Sequence, residues 1–459
     1  MTIISSQVLR RRAGRGVRLV LTLSALLSSL TGCGRGPQEQ GTEGKFPPPA
    51  GLDRIPIVLV PGIRREVAGV LKGGRLTPFS RLALRTDADA IANLGDPQFP
   101  ADSVPAMEAP GILDRALRGT DVRGLQALID HLVRVKGYIR GNPDQPRDKD
   151  YAENPISERE DRTAVASLFV VYYDWRRDLA ENACVLADRI ARIRAGTGAA
   201  RVHLVANSYG GVVARYYLRY GGRDVVRDRD CPVPPKEMAM AANTPGGQAV
   251  DRAILLGAPF HGSVLALRAL LEDFNLWGII SVGLRDAVFT MPLAWELLPQ
   301  AEPDGRVPLL VGVDGDGRVP LYAPRTWIDR RWLLGGTQDA GGIHFVEAML
   351  ARSLALQKHM AERNPAEEQV PRLVVGGDCR PTSVRAIATA KGIQFLARDQ
   401  GDHPLFSAAT APGDGVVTTD SAISLPASPT LTVLTTCTGH STYFQDPDLL
   451  TRVVQFLLG

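Results

Sequence analysis

The sequence is poor in the residue types that build metal and redox centres. It has seven histidines and five cysteines among 459 residues, and the spacing of the cysteines fits no zinc-binding pattern. It also shows no internal repeat. We therefore expect the chemistry of this chain to need neither a metal ion nor an organic cofactor.

The chain also lacks a large excess of charge of either sign. The formal net charge is +4, but residues 1–32 carry five arginines and no acidic residue, so the remaining chain has a formal charge of −1. No run of Lys and Arg elsewhere marks a surface for nucleic acid. With 44% hydrophobic and 22% charged residues, the chain is expected to bury a large core and to bind no nucleic acid.

The sequence lacks an apolar run long enough for a comfortable membrane span. The run "LVLTLSALLSSL", at 19–30, follows an arginine-rich start and has the proportions of a signal peptide. It leads into "LTGC", which resembles the lipobox of bacterial lipoproteins, where the cysteine thiol is lipidated. We predict a lipoprotein signal peptide over 1–32 and lipidation of Cys33. A plain signal peptide or a signal anchor with an incidental cysteine is the alternative.

The segment after Cys33 has the composition of a linker. Residues 34–50 read "GRGPQEQGTEGKFPPPA", and we predict a flexible tether over 33–52. Position 34 is Gly rather than Asp, which by resemblance to diderm lipoproteins favours the outer membrane. The sequence therefore predicts a folded domain held in the cell envelope by a lipid anchor.

The other four cysteines, Cys184, Cys231, Cys379 and Cys437, allow three pairings into two disulfides. An exported protein meets an oxidising compartment, so disulfides are possible. Cys379 and Cys437 both follow short apolar runs late in the chain, which favours pairing these two. Free buried cysteines are the alternative.

Apolar runs alternate with helical patterns along the rest of the chain. This alternation predicts a mostly parallel, doubly wound sheet that is covered on both faces. The predicted strands lie at 55–62, 167–176, 201–208, 252–259, 371–377, 392–397 and 430–436, and the predicted helices at 122–135, 180–193, 211–220, 344–362 and 449–458.

Two less regular segments are predicted to be cap or lid insertions over the sheet. They span about 64–120 and 261–345, within an α/β domain predicted over 53–459. The second segment holds four of the five tryptophans, Trp277, Trp295, Trp327 and Trp332.

The stretch "VHLVANSYGG", at 202–211, has the form strand, small-x-Ser-x-Gly, helix. This is the nucleophile-elbow pattern of the α/β-hydrolase fold, in which a tight turn lifts a serine above the sheet. Ala206 and Gly210 are small because larger side chains would collide with the neighbouring strand and helix. The pattern predicts that Ser208 is a nucleophile, and a chance small-Ser-small turn is the alternative.

A serine hydroxyl needs a base, and the base needs an orienting acid. In this fold the chain order is Ser, then Asp or Glu, then His, which favours His440 as the base. His403 precedes the best acid and breaks that order, while His261 and His344 sit in or beside the predicted cap. We predict that the acid is Asp414, in a Gly-flanked loop that enters a short strand. Asp420 is the next candidate, and Asp402 is weaker because it lies further from any strand.

The acyl oxygen of a bound ester needs two N–H donors in the transition state. One is predicted to be the backbone N–H of Tyr209, directly after the nucleophile. The other is predicted to be the N–H of Ile63, because Pro61 and Gly62 turn the backbone after the first strand. An ordinary turn is the alternative interpretation of this Pro-Gly pair.

Several motifs now match one known family in order. The chain resembles lecithin:cholesterol acyltransferase and its lysosomal phospholipase A2 relatives over about 55–458. The matching segments are "IVLVPGI", "VVYYDWRRDL", "VHLVANSYGGVVARYYL", "ILLGAPFHGS", "AWELLP", "PLYAPRTW", "GDGVVTTDSA" and "TGHSTYF".

The resemblance implies the same roles for Ser208, Asp414 and His440, and it implies that Trp175 lines or supports an acyl site. A core tryptophan is the plainer interpretation of Trp175. The chain departs from the family after the first strand, where no cysteine pair closes a lid loop. We expect a lipid-anchored serine esterase or O-acyltransferase that acts on lipid esters, as a phospholipase A or a lipid acyltransferase. A hydrolase of soluble or polymeric esters and a non-catalytic lipid-binding envelope lipoprotein are the alternatives.

Overall fold

The computed structural model describes twelve stretches of the chain. They are 54–63, 123–146, 165–173, 175, 177–233, 238–241, 243–272, 284–289, 291–334, 340–390, 392–396 and 400–459. The predicted signal peptide, the tether and the predicted insertion at 64–120 lie outside the described residues. All of the described residues belong to one compact unit, 48–459.

The core of this unit is a seven-stranded sheet in which every neighbouring pair is parallel. Its strands are β1 (Ile57–Val60), β2 (Arg140–Gly141), β3 (Leu168–Val170), β4 (Val202–Asn207), β5 (Val250–Leu256), β9 (Arg372–Gly377) and β14 (Leu431–Thr436), in the spatial order β14-β9-β5-β4-β1-β3-β2. Seven short strands of the described residues lie outside this sheet. They are β6 (Val307–Pro308), β7 (Leu310–Val311), β8 (Arg318–Val319), β10 (Arg380–Ser383), β11 (Ala386–Thr389), β12 (Gly392–Gln394) and β13 (Thr410–Gly413).

The described part of the chain also forms helices between these strands. They are α1 (Arg123–Arg134), α2 (Leu179–Thr197), α3 (Tyr209–Tyr220), α4 (Val264–Leu271), α5 (Leu284–Phe289), α6 (Pro292–Glu296), α7 (Pro324–Asp329), α8 (Ala340–Ala361), α9 (Pro365–Glu368), α10 (Phe406–Ala409), α11 (Thr419–Ile423) and α12 (Pro447–Leu458). None of these helices combines the length and apolarity needed to cross a bilayer.

Helices cover both faces of the sheet, which explains why the central strands are mainly apolar, with their polar residues at the strand ends. Side chains of α2 and α3 pack with β4 and β5 on one face. Side chains of α1 and α12 pack with β1 and β9 on the other. A strand buried on both faces has no solvent-facing side, so it carries no polar alternation.

The described residues of 261–345 form an apolar cluster together with residues of α8 and with Ala386 and Phe395. Trp295 and Trp327 pack with ring centroids 4.8 Å apart, and Phe289 meets Trp295 edge-to-face at 5.0 Å. The indole N–H of Trp327 donates to the carbonyl of Leu321 at 2.8 Å. These aromatic rings are therefore interior residues of this region, while Trp277 lies outside the described residues.

One predicted strand of the main sheet is wrong. Within the run predicted at 392–397, the described residues Gly392–Gln394 form β12, which pairs antiparallel with β11 in a small sheet that also contains β7. β11 and β12 follow each other closely in the chain and pair locally, before the chain returns to the main sheet at β14. A short apolar run predicts a strand but does not determine which sheet the strand joins.

A buried ion cluster fixes α3, the helix that follows Ser208. Glu367 accepts from Arg215 at 3.0 Å, from Arg219 at 2.5 Å and from Arg372 at 2.6 Å. Burial would raise the pKa of Glu367, but the three guanidinium groups outweigh burial and lower it. Because removing one partner leaves buried charge uncompensated, breaking such a cluster costs about 3–5 kcal/mol.

Candidate active site

The backbone at Ser208 is strained in the way that a sharp turn from strand to helix requires. Ser208 lies between β4 and α3 with φ 55° and ψ −134°, a conformation that costs about 1–3 kcal/mol in a residue with a side chain. A Cβ on Gly210 would lie 2.4 Å from the carbonyl oxygen of Val60. The predicted need for a small residue at position 210 is therefore met by backbone contact.

The structure brings Ser208, His440 and Asp414 together in one line. His440 Nε2 lies 2.8 Å from Ser208 Oγ, and His440 Nδ1 lies 2.7 Å from Asp414 Oδ2. Their order along this line is the one expected of a nucleophile, a base and an orienting acid.

Asp414 is held from several sides. Its Oδ1 accepts from the backbone N–H groups of Val416 at 2.9 Å and Val417 at 2.8 Å. Burial would raise the pKa of this carboxyl, but His440 and the two N–H donors outweigh burial and lower it. One expectation was wrong, because Asp414 follows β13 instead of entering a strand.

Tyr443 is a site residue that the sequence patterns did not indicate. Its hydroxyl donates to Asp414 Oδ2 at 2.8 Å, on the oxygen that faces His440. Burial and the Asp414 carboxylate raise the pKa of Tyr443 far above its ordinary value, so the phenol remains a hydrogen-bond donor. The available signal in the sequence was its position three residues after His440, the predicted base.

The alternative acids and bases lie elsewhere. Asp420 is exposed, and its Oδ2 lies 3.8 Å from Nδ1 of His261. His403 Nδ1 accepts from the backbone N–H of Leu405 at 3.2 Å, and Asp402 and His344 are exposed. The structure groups none of these four side chains with Ser208.

The loop after β1 packs against the turn that carries Ser208. Asn207, directly before Ser208, accepts from the Gly62 N–H with Oδ1 at 3.1 Å. A Cβ on Gly62 would lie 2.5 Å from that of Ser208, so the loop passes as close as glycine allows. Ile63 and Tyr209, the two predicted N–H donors, both border a cavity beside Ser208. Asn207 was not identified from the sequence, although it adjoins the nucleophile.

The cavity beside Ser208 has a volume of about 80 Å³ and a mainly apolar lining. Trp175 lines it, as the sequence resemblance predicts. The remaining walls come mostly from α4, α5, α6 and the loop after Asp414, through Pro259, Ser263, Leu265, Ala266, Ala269, Val288, Met291, Leu293, Ala294, Leu297, Val416 and Val417.

Both disulfides are present in the structure. Cys379 pairs with Cys437, with Cα atoms 4.9 Å apart, and Cys184 pairs with Cys231 at 5.6 Å. The first joins the residues that directly follow β9 and β14, and Cys437 lies three residues before His440. No group of three His, Cys, Asp or Glu side chains is placed to hold a metal ion in the part of the chain that the structure describes.

Comparison with known proteins agrees with the family resemblance seen in the motifs. Residues 161–302 match the family model described as lecithin:cholesterol acyltransferase, less than a third of the chain. The match covers the Tyr-Asp-Trp-Arg segment and the turn at Ser208 but not Asp414 or His440. A search of curated protein sequences finds no match.

Similarity to solved structures concerns the fold. A chain of the Tle4–Tli4 complex matches with a TM-score of 0.50 and 15% identity over 88% of this chain and 98% of that one. The lin2722 product of Listeria innocua matches at 0.35 and 12%, over 88% and 94%. Mature lipase BlEst2 of Bacillus licheniformis matches at 0.33 and 16%, over 70% and 90%. The chain has the α/β-hydrolase fold, as the sequence predicted.

Proposed function

We propose that the chain is a serine esterase that forms an acyl-enzyme on acyl esters of lipids and passes the acyl group to water or to another hydroxyl. The single observation that carries this proposal is the hydrogen-bonded line from Ser208 through His440 to Asp414 at the mouth of an apolar cavity. The sequence similarity to lecithin:cholesterol acyltransferase supports the lipid ester as substrate.

In the proposed mechanism, Ser208 Oγ bonds to the carbonyl carbon of the ester while its proton passes to His440 Nε2. The oxygen that gains negative charge is stabilised by the N–H groups of Tyr209 and Ile63. The bond to the leaving alcohol then breaks, and His440 returns the proton to that alcohol. Water or a second alcohol repeats the two steps on the acyl-enzyme and frees Ser208.

Asp414 orients the base in this scheme. Its Oδ2 accepts the Nδ1–H of His440, which leaves Nε2 free to take the proton of Ser208. Tyr443 holds the same carboxylate oxygen and keeps it turned toward the ring. Trp175 and the apolar wall would contact the acyl chain.

The main alternative is a hydrolase of soluble or polymeric esters with the same three residues. The volume of the cavity favours this alternative. At about 80 Å³ it is small beside the 300–1,000 Å³ typical of sites for larger ligands, so it suits a short acyl group better than a long lipid chain. Such an enzyme would gain no activity from a lipid surface.

The test compares the protein with Ser208→Ala on mixed phospholipid vesicles, with and without a sterol or long-chain alcohol. Mass spectrometry would read lysophospholipid, free fatty acid and new esters. Serine-dependent lysophospholipid with fatty acid indicates a phospholipase, and new esters in place of fatty acid indicate an acyltransferase. If only short p-nitrophenyl esters are cleaved, the lipid substrate is wrong.

A fluorophosphonate probe separates these enzymes from a non-catalytic lipid-binding protein. We expect the probe to label the wild type and not Ser208→Ala. The matched control is Ser263→Ala, a second serine of the same cavity, which should still be labelled. An unlabelled wild type would exclude both enzymes.

We further propose that a lipid on Cys33 tethers the protein to a membrane, the outer membrane if the organism is diderm. Labelled fatty acid should enter the wild-type chain and not Cys33→Ala. Recovery of unlabelled protein with an intact thiol at Cys33 would contradict the tether.

A further inference from the structure

A second, larger cavity lies at the end of the central sheet opposite Ser208. Its volume is about 350 Å³, and it lies where the strands begin, against Arg54, Tyr138, His203 and Arg252. β4 passes from this cavity to Ser208, so the two sites lie roughly 17 Å apart along that strand. Neither the proposed reaction nor its substrate uses this cavity.

The lining of the cavity carries an excess of positive charge. Arg54, Lys136 and Arg252 supply three cations, and Asp251 is the one carboxylate among the described residues that line it. Asp251 lies 3.7 Å from Arg252 and is also 3.8 Å from Arg201, so it does not neutralise the group. A concave surface with such an excess attracts anions.

The two arginines are held in position before any ligand arrives. Arg54 donates to the backbone carbonyl of Lys136, and its guanidinium lies 5.4 Å from the ring centroid of Tyr138. Arg252 donates to the carbonyl of Phe456 at 2.5 Å. A guanidinium has five N–H donors, so each of these arginines keeps donors for an anion.

His203 contributes a buried polar atom to the same cavity. Its side chain is 4% exposed, and within the described residues its Nδ1 makes no hydrogen bond. The closest acidic atom is Asp251 Oδ2, at 3.6 Å. A buried nitrogen without a partner is costly, and an oxygen of a bound ligand would satisfy it.

Exposed apolar side chains border the cavity. Leu458 lines it and is 42% exposed, and Val135, next to Lys136, is 65% exposed. Cations that pair with phosphate beside apolar groups that enter the headgroup boundary are typical of proteins that lie on a bilayer. A free phosphate compound would make no use of the apolar border.

The course of the chain favours the same face. The described domain begins at Arg54, and 20 residues separate Arg54 from Cys33, the predicted lipidation site. Twenty residues reach at most about 70 Å when fully extended. If Cys33 is anchored, Arg54 and the end of the sheet that holds it therefore stay within that distance of the membrane.

We propose that Arg54, Val135, Lys136, Arg252 and Leu458, called the amino-end surface below, dock the protein on a bilayer containing anionic phospholipid, with a lipid phosphate in the cavity. Ser208 then opens away from this bilayer. The ester substrate therefore reaches Ser208 from solution or from an opposing surface.

The test measures hydrogen exchange of the full chain in vesicles of phosphatidylcholine to which phosphatidylglycerol is added stepwise. We expect slower exchange at 135–139 and 456–459 only with the anionic lipid. Arg54→Glu and Lys136→Glu should each weaken the apparent affinity for phosphatidylglycerol about tenfold. The matched control is Arg325→Glu, an exposed reversal on α7, which should behave as wild type.

Equal protection with both lipids, or protection that survives both reversals, would overturn the proposal. Binding of inorganic phosphate or glycerol phosphate in detergent, without protection in anionic vesicles, would also overturn it and identify a site for soluble phosphates. If Arg54→Glu folds poorly, Lys136→Glu decides alone, because its side chain is exposed. The readout needs no catalysis, so it is independent of the proposed reaction.

Discussion

A cavity lies at each end of the central sheet, and the two cavities differ in size and polarity. At the carboxyl end, a cavity of about 80 Å³ is apolar and meets a strained turn and a buried line of polar groups. At the amino end, a cavity of about 350 Å³ is cationic and partly exposed, and none of the described residues that line it has a positive φ. Reaction chemistry needs groups held against their local preference, whereas binding to a charged surface needs charge that stays accessible.

The comparison predicts that catalysis depends on the carboxyl end alone. Asp414→Asn should lower kcat about 10³–10⁴-fold, because the amide no longer selects the histidine tautomer that accepts the proton of Ser208. Steady-state hydrolysis of p-nitrophenyl butyrate measures this loss. The matched control, Asp420→Asn, removes the exposed carboxylate six residues on and should change kcat less than twofold. A loss below tenfold for Asp414→Asn would exclude it as the orienting acid.

Backbone crowding at Gly210, at the carboxyl end of the sheet, should make the protein intolerant of a single added methyl group there. Gly210→Ala places a Cβ against two backbone oxygens, at 2.4 and 2.5 Å, and we expect a loss of about 3 kcal/mol in the free energy of unfolding. The control is Gly401→Ala, where a Cβ meets nothing within 4 Å and the change should stay within about 0.5 kcal/mol. Urea denaturation of both variants measures the difference, and equal midpoints would refute the crowding argument.

At the amino end, stability should depend on pH through His203. Burial, only partly offset by Asp251, lowers the pKa of His203 to about 4. Between the ordinary pKa of 6.5 and about 4 the unfolded chain binds a proton that the folded chain does not, so stability falls as pH falls through this window, by up to about 3 kcal/mol. Denaturation of His203→Gln at pH 7 and pH 4 should lack this loss. The exposed control His344→Gln should retain it, and an unchanged loss in His203→Gln would contradict the assignment.

The smallest of these effects concerns Tyr443. Tyr443→Phe removes a donor to Asp414 Oδ2 and should lower kcat about tenfold, as expected for a hydrogen bond to a charged group, with KM unchanged because Tyr443 does not line the cavity. It should also raise the lowered pKa of Asp414, so the stability that this carboxylate provides above its ordinary pKa is lost at a higher pH on acidification. Carboxyl NMR titration measures that shift. The control Tyr322→Phe removes a buried hydroxyl bonded to the carbonyl of Pro299. It should leave both kcat and the pKa of Asp414 unchanged.

Much of the carboxyl end could be predicted from sequence because its signals are local. The run into Ser208 combines an apolar strand, small residues and a helix within ten positions, and each feature has a steric reason that holds in any context. Asp414 and His440 followed from chain order, and the structure places both within hydrogen-bonding reach. The prediction of a strand after Asp414 was wrong, because the loop that follows Asp414 instead turns back and donates backbone N–H groups to the carboxylate.

The supporting residues could not be predicted. Asn207 and Tyr443 are ordinary residue types, and their contacts with Gly62 and Asp414 exist only once the loops meet. The Cys184–Cys231 pair was one of several open pairings, since a sequence does not state which Cα atoms approach within about 7 Å. Of the strand predicted at 392–397, residues 392–394 form a strand, but in a small separate sheet instead of the main one.

The sequence by itself determined the periodic elements, the order of the sheet-forming runs and the turn that exposes Ser208, because these depend on neighbours a few residues apart. Only the tertiary structure decided which side chains meet. Ser208 and His440 are 232 positions apart, and the amino-end surface joins residues from 54 to 458. Parallel strands gather their carboxyl ends at one edge and their amino ends at the other, so distant residues become neighbours only after the whole sheet has formed.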